Sequence, residues 1–110
     1  MDERRRRVVM NEALFRDVNE RLAELGESFD VPEFEILCEC GNLDCAQRFG
    51  IRREEYAELR ADPALFALVP GHEDESVELV VARRRAYSVV RKRAGDPATL
   101  AAETDPRATR

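Results

Sequence analysis

Between residues 8 and 25, Leu14, Phe15, Val18, Leu22 and Leu25 recur at spacings of three and four. That period predicts an amphipathic helix whose apolar stripe covers the molecule's own sheet. Gly26 supplies the stop. Glu12 and Arg16, like Asp17 and Arg21, are i,i+4 pairs expected on the outer face. About two heptads are too few for a coiled-coil seam. The pattern then changes. Glu33-Phe34-Glu35-Ile36-Leu37 begins with polar and apolar residues in alternation, which predicts a strand running into Cys38.

A short strand is expected over residues 46–51 and a second helix over 53–61, with Tyr56 and Leu59 inward and Asp62-Pro63 as its end. Leu65 to Val69 is an apolar run that predicts a buried strand. Residues 73–76 form an acidic loop. Residues 77–81 and 87–90 are rich in β-formers and flank Arg83 to Ala86, so they predict a hairpin. From Gly95 the composition shifts to Ala, Thr, Pro and Asp. Asp96 as N-cap and Pro97 at the first helical position would start one short helix through Glu103. The fold class is therefore α+β: a long N-terminal helix packed on a small, mostly antiparallel sheet, with a C-terminal hairpin. Residues 1–7 are expected to be a disordered basic N-terminus, 8–94 a single domain, and 95–110 a flexible tail around that short helix, disordered from Thr104.

Composition adds a constraint. A chain of 110 residues is one domain, and with 6% aromatics and no tryptophan its core is modest. Such a core gains from a metal that supplies folding free energy. The donors are present. Cys38-x-Cys40-x4-Cys45 and the single histidine, His72, are the only Cys and His residues in the chain. Residues two apart on a strand share a face, so Cys38 and Cys40 present both thiolates to one side. Gly41-Asn42 is a turn signal suited to positive φ, and it can return Cys45 to the same point. Pro70-Gly71-His72 is another turn, from which the imidazole can reach. Three cysteines and one histidine form a known structural zinc set. The expected metal knuckle is Cys38, Cys40, Cys45 and His72, and the expected cofactor is zinc.

Two other uses of the sulfurs are weaker. A [2Fe–2S] cluster could take mixed Cys/His ligands, but no standard cluster spacing is present. A disulfide is disfavoured by the odd cysteine count and by a charged N-terminus without an apolar stretch, which predicts a reducing, cytoplasmic setting. No segment has the length of a membrane span.

The order Glu12-Ala13-Leu14-Phe15-Arg16-x-Val18-Asn19-Glu20-Arg21, Cys38-Glu39-Cys40-x4-Cys45, Glu55-Tyr56, Arg60-Ala61-Asp62-Pro63, Phe66, Pro70-Gly71-His72-Glu73 and Tyr87-x-Val89-Val90 resembles a family of small uncharacterised actinobacterial proteins. The resemblance runs from about Asn11 to Arg93. It implies that Cys38, Cys40, Cys45 and His72 form one constellation, and it implies no activity. This chain departs from the family pattern at Arg52, where a Thr-type helix cap is usual, and at Arg91-Lys92, where the last strand usually ends in Glu-Lys.

The net charge of −5 is unevenly spread. Residues 77–93 carry Arg83, Arg84, Arg85, Arg91, Lys92 and Arg93 against Glu78 alone, while Glu33, Glu35, Glu39 and Asp44 surround the knuckle with negative charge. Arg91 and Arg93 should share one face of the last strand, with Lys92 opposite, and the basic end is expected to be a docking surface for an acidic partner. A metal closed by four protein ligands leaves no position for substrate. The function expected is a monomeric, non-enzymatic interaction or regulatory module that binds a protein partner. The alternative is a nucleic-acid-binding module using the Arg83–Arg93 hairpin. A further alternative is a metal-dependent enzyme with three thiolates, a bound water and Glu73 as base.

Overall fold

The computed structural model describes residues 1–108, and the last two positions of the expected disordered tail lie outside the described residues. The chain runs α1 (Glu3–Ser28), β1 (Glu33–Leu37), β2 (Arg48–Arg52), α2 (Arg53–Arg60), β3 (Leu65–Leu68), β4 (Glu78–Arg83), β5 (Ser88–Lys92) and α3 (Asp96–Glu103). This is the α+β fold expected, with its strands divided between two antiparallel sheets. One pairs β1 with β2. The other has the order β3-β5-β4, with a bulge between Val80 and Ala82. β5 is the central strand, and Ser88, Val89, Val90 and Lys92 along it are buried, with Arg91 alone exposed. The main core joins Ile36, Phe49 and Ile51 of the first sheet to Tyr56 and Leu59 of α2 and to Phe66, Leu68 and Val90 of the second sheet.

Helix α1 starts earlier than its apolar period predicts. Asp2 caps it by accepting the Arg5 amide at 2.8 Å, and Arg4 donates to Asp74 at 2.9 Å, so residues 3–7 are helical rather than disordered. The C-terminal segment is likewise docked. α3 packs on α1, and Arg107 donates to Glu20 at 2.8 and 2.9 Å. The cap of α3 is Gly95, at φ +97°, and not Asp96, whose carboxylate instead accepts the Met1 ammonium at 3.0 Å.

The larger correction concerns which face of α1 is inside. The buried residues are Val9, Glu12, Ala13, Arg16, Asn19, Glu20, Ala23 and Gly26. Leu14, Val18 and Leu25 are 52%, 37% and 57% exposed, whereas Glu12 and Arg16 are 0% and 1% exposed. Glu12 and Arg16 are therefore not an outer-face pair, and the apolar stripe does not cover the sheet. The inward face is held by polar bonds. Arg16 donates to the carbonyls of Pro63 and Ala101, each at 2.8 Å, and to Thr104 Oγ1 at 2.9 Å, with its guanidinium 4.6 Å from the Phe66 ring centroid. Lys92 is buried with Glu12 and Glu78. Its ammonium lies 2.6 Å from Glu12 Oε1 and donates to Glu78. Among the described residues Glu12 Oε2 and Arg16 Nε have no hydrogen-bond partner, but paired charge and amide otherwise replace the leucines as the contact between helix and sheets.

Candidate metal centre

The four expected donors converge. Their ligand atoms all lie within 4.8 Å of one another, and the three cysteines are free thiols. His72 Nδ1 is 3.5 Å from Cys38 Sγ and 3.7 Å from Cys45 Sγ. A tetrahedron built on ordinary zinc–sulfur and zinc–nitrogen bonds has S···N edges of about 3.6 Å, so the histidine already sits at ligand distance through Nδ1. Cys38 and Cys40 are buried, and Cys45 and His72 are half-buried, which places the solvent side of the site at the last two.

Each donor is placed by a local device. Cys38 extends β1: its amide donates to the Gln47 carbonyl at 2.9 Å. The next amide, Glu39, turns the other way and donates to Ala67 of β3 at 2.9 Å. The stretch 38–40 is therefore the seam between the two sheets, and alternation along it sends both thiols one way and Glu39 the other. Cys45 is returned by a turn in which its amide donates to Asn42 O at 3.0 Å and Asp44 donates to Asn42 Oδ1 at 2.9 Å. Gly41 does not adopt the positive φ expected of this turn. Its lack of a side chain serves contact instead, because a Cβ there would lie 2.6 Å from Val8 Cγ1. Gly71 does need positive φ, at +90°. With Pro70 before it and the His72 amide donating to Val69 O at 3.0 Å, this is the turn that presents the imidazole. Glu73 accepts the Gly71 amide at 3.1 Å and braces that turn.

Burial pushes the thiols of Cys38 and Cys40 above the usual cysteine range, while the Val69 amide, 3.1 Å from Cys38 Sγ, works in the opposite direction. The two buried thiols, Cys38 and Cys40, are poor anions on their own and good donors to a cation. A divalent ion removes the desolvation penalty by supplying the counter-charge, and the Val69 amide then donates to a thiolate.

Glu39 is placed differently from what its sequence suggests. It is not part of an acidic rim. It is 0% exposed and accepts four hydrogen bonds: from Arg60 Nη1 at 2.9 Å, Arg60 Nη2 at 2.7 Å, Asn19 Nδ2 at 2.8 Å and the Ala67 amide at 3.0 Å. Asn19 also spans the Leu37 backbone, donating to its carbonyl and accepting from its amide, both at 2.8 Å. Eight residues earlier on the same helix, Asn11 donates to Gly41 O at 2.9 Å. Eight helical residues rise about 12 Å, close to the length of an extended stretch from 37 to 41, so α1 grips both ends of the cysteine segment. Sequence reasoning missed Asn11, Asn19, Glu39 and Arg60. The available signal was a glutamate forced, by alternation, to point away from the two thiols flanking it.

The basic residues do not form one surface. Arg83, Arg84 and Arg85 are exposed at the hairpin turn, as expected. Lys92 is buried, Arg91 pairs with Asp62 at 2.8 Å, and Arg93 donates to Glu75 O at 2.7 Å. Arg91 and Arg93 are nevertheless both exposed, as expected, with Lys92 turned the other way into the core against Glu12 of α1. Among the described residues, no helix is long and apolar enough to cross a membrane.

No family model, curated protein or solved structure matches this chain.

Proposed function

We propose that this chain is a small zinc-binding module in which Cys38, Cys40, Cys45 and His72 hold one structural ion, and that its role is interaction or regulation rather than catalysis. The observation that carries this reading is the placement of His72 Nδ1 at tetrahedral-edge distance from two of the three clustered sulfurs. Four protein donors saturate zinc and leave it no position for water or substrate. The site lies at the seam between the two sheets, so the ion would tie the Cys38–Cys45 knuckle to the β3–β4 connection that carries His72.

Elemental analysis of the purified, folded chain should find about one zinc per chain, and cobalt substitution should give the spectrum of a tetrahedral thiolate site. Cys40→Ser should release the metal and lower the melting temperature, and chelation should do the same to the parent chain. Metal-free protein with three freely titratable thiols and an unchanged melting curve would overturn the reading. An intensely coloured iron-containing product would replace zinc by an iron–sulfur cluster. The exposed Arg83–Arg85 turn is the feature that favours the nucleic-acid alternative. Salt-dependent binding of DNA or RNA that is lost on reversing those three charges would support it.

A further inference from the structure

Helix α1 turns its charged face inward and, among the described residues, leaves Leu14, Val18 and Leu25 exposed on the opposite face, with Leu22 half-buried beside them. At 100° per residue, Leu14, Val18, Leu22 and Leu25 fall within about 80° of arc, opposite the buried Arg16 and Glu20. Leu14 and Leu25 are more than half exposed, Val18 is 37% exposed, and Phe29, at the C-cap, is 77% exposed. The stripe is about 22 Å long from Met10 to Leu25.

The charges beside the stripe say what fits it. Four arginines, Arg4 to Arg7, occupy the first two turns of α1, the end where the helix dipole is positive. The last turn carries no basic residue, although cations are favoured there. The first turn also holds Glu3, and Arg4 pairs with Asp74, but base outnumbers acid there, whereas the last turn has Glu27 and no base. Laid antiparallel on a second copy, Arg6 and Arg7 of one helix would lie at the C-terminus of the other. With the two-fold axis at Val18, Leu14 faces the second copy's Leu22. Asp17 and Arg21 flank the stripe, both exposed, and would meet their opposites twice, once on each side of the axis.

From the exposed stripe and this self-complementarity we infer that α1 is a homodimer interface, two copies packing antiparallel through Leu14, Val18, Leu22 and Leu25. Such a contact has few anchors per copy, so its dissociation constant should be on the order of 10 µM. This inference is independent of the identity of the metal.

Sedimentation equilibrium on the full, metal-loaded chain tests it. The parent chain should dimerise as concentration rises through about 10 µM, and Val18→Asp should weaken the dimer at least about tenfold with an unchanged melting temperature. Charge swaps test the orientation. Asp17→Arg alone sets four arginines around the axis, and Arg21→Asp alone sets four carboxylates, so each should weaken self-association. Mixed, the two variants restore both opposite-charge contacts and should associate as tightly as the parent. A parent chain that stays monomeric to several hundred micromolar would overturn the inference, as would a dimer indifferent to Val18→Asp. A dimer lost in both charge variants but not restored by mixing them would overturn the antiparallel register. Zinc content measured on the same samples distinguishes loss of the dimer from loss of the metal.

Discussion

Replacing Glu39 by glutamine changes one atom in a residue that touches no solvent, and it should be among the most damaging single substitutions in the chain. Oε2 accepts from Arg60 Nη1 and Asn19 Nδ2, and Oε1 accepts from Arg60 Nη2 and the Ala67 amide. Whichever way the new amide is oriented, its NH₂ faces two donors, so two of the four hydrogen bonds become donor–donor contacts. Arg60, 3% exposed, is then a buried cation without an anion. Burial already works against the charge of Arg60, and the facing carboxylate outweighs it, holding the guanidinium above its ordinary range. Removing one partner of a buried pair costs about 3–5 kcal/mol, against a total of roughly 5–15 kcal/mol for a domain. For 110 residues that loss should lower the melting temperature by roughly 13–22 °C. The measurement is urea and thermal unfolding. On the proposed reading that the four donors hold zinc, zinc competition with a chelator follows, and it should show a weaker affinity because Glu39 fixes the seam from which Cys38 and Cys40 project. Replacing both Glu39 and Arg60 by apolar residues of similar volume should cost less than Glu39→Gln alone. A loss under about 1 kcal/mol for Glu39→Gln would refute the reasoning, because the pair would then not be anchoring the segment.

Three further outcomes follow from particular contacts. Gly41→Ala should destabilise by about 1–3 kcal/mol through the clash with Val8, and adding Val8→Ala should recover a measurable part of it in a double-mutant cycle, since the nearest atom, 2.6 Å from the added Cβ, is a Val8 methyl. Burial, the largest effect, and the neighbouring Glu78 push the Glu12 carboxyl well above its ordinary 4.5 despite Lys92, so stability from this group is complete below 4.5 and is lost as pH rises through the raised value. In urea unfolding, Glu12→Gln should therefore gain on the parent as pH rises above 4.5, and a difference that stays constant with pH would contradict this. Reversing Arg83, Arg84 and Arg85 to glutamate should shift stability by no more than about 0.5 kcal/mol, because all three are exposed at the hairpin turn; a large loss would show them to be structural.

The convergence of the four potential metal donors was legible in the sequence because ligand chemistry is carried by residue type. With three cysteines and one histidine in the chain, strand alternation and two turn signals were enough to bring the four donors together. The C-terminal hairpin, the second helix and the Pro70-Gly71 turn were legible for a similar reason: β-branched runs, Asp62-Pro63 and Pro-Gly are local signals. The burial of Lys92 was not, because it depends on which face of β5 meets α1, and alternation leaves that choice open.

Helix α1 shows why periodicity could locate an element and still misplace its core. The apolar period is a sound signal that residues 8–25 are helical, and they are. The further step, that the apolar face is the buried one, assumes that the helix has only its own chain to pack against. Here the inward face carries Glu12, Arg16, Asn19 and Glu20, each matched by a group distant in sequence: Lys92, the carbonyls of Pro63 and Ala101, Leu37 with Glu39, and Arg107. No local pattern announces those partners, because each lies 18 or more residues away along the chain. Two faces of one helix are therefore specified by different means, one by polar contacts fixed in the tertiary structure and one by an apolar stripe. A stripe not needed to hold the helix to its own sheets is surface available for a second molecule. The burial of polar groups on one side and the exposure of leucines on the other are then two consequences of a single orientation, and the dimer measurement tests the half of it that folding within one chain leaves unexplained.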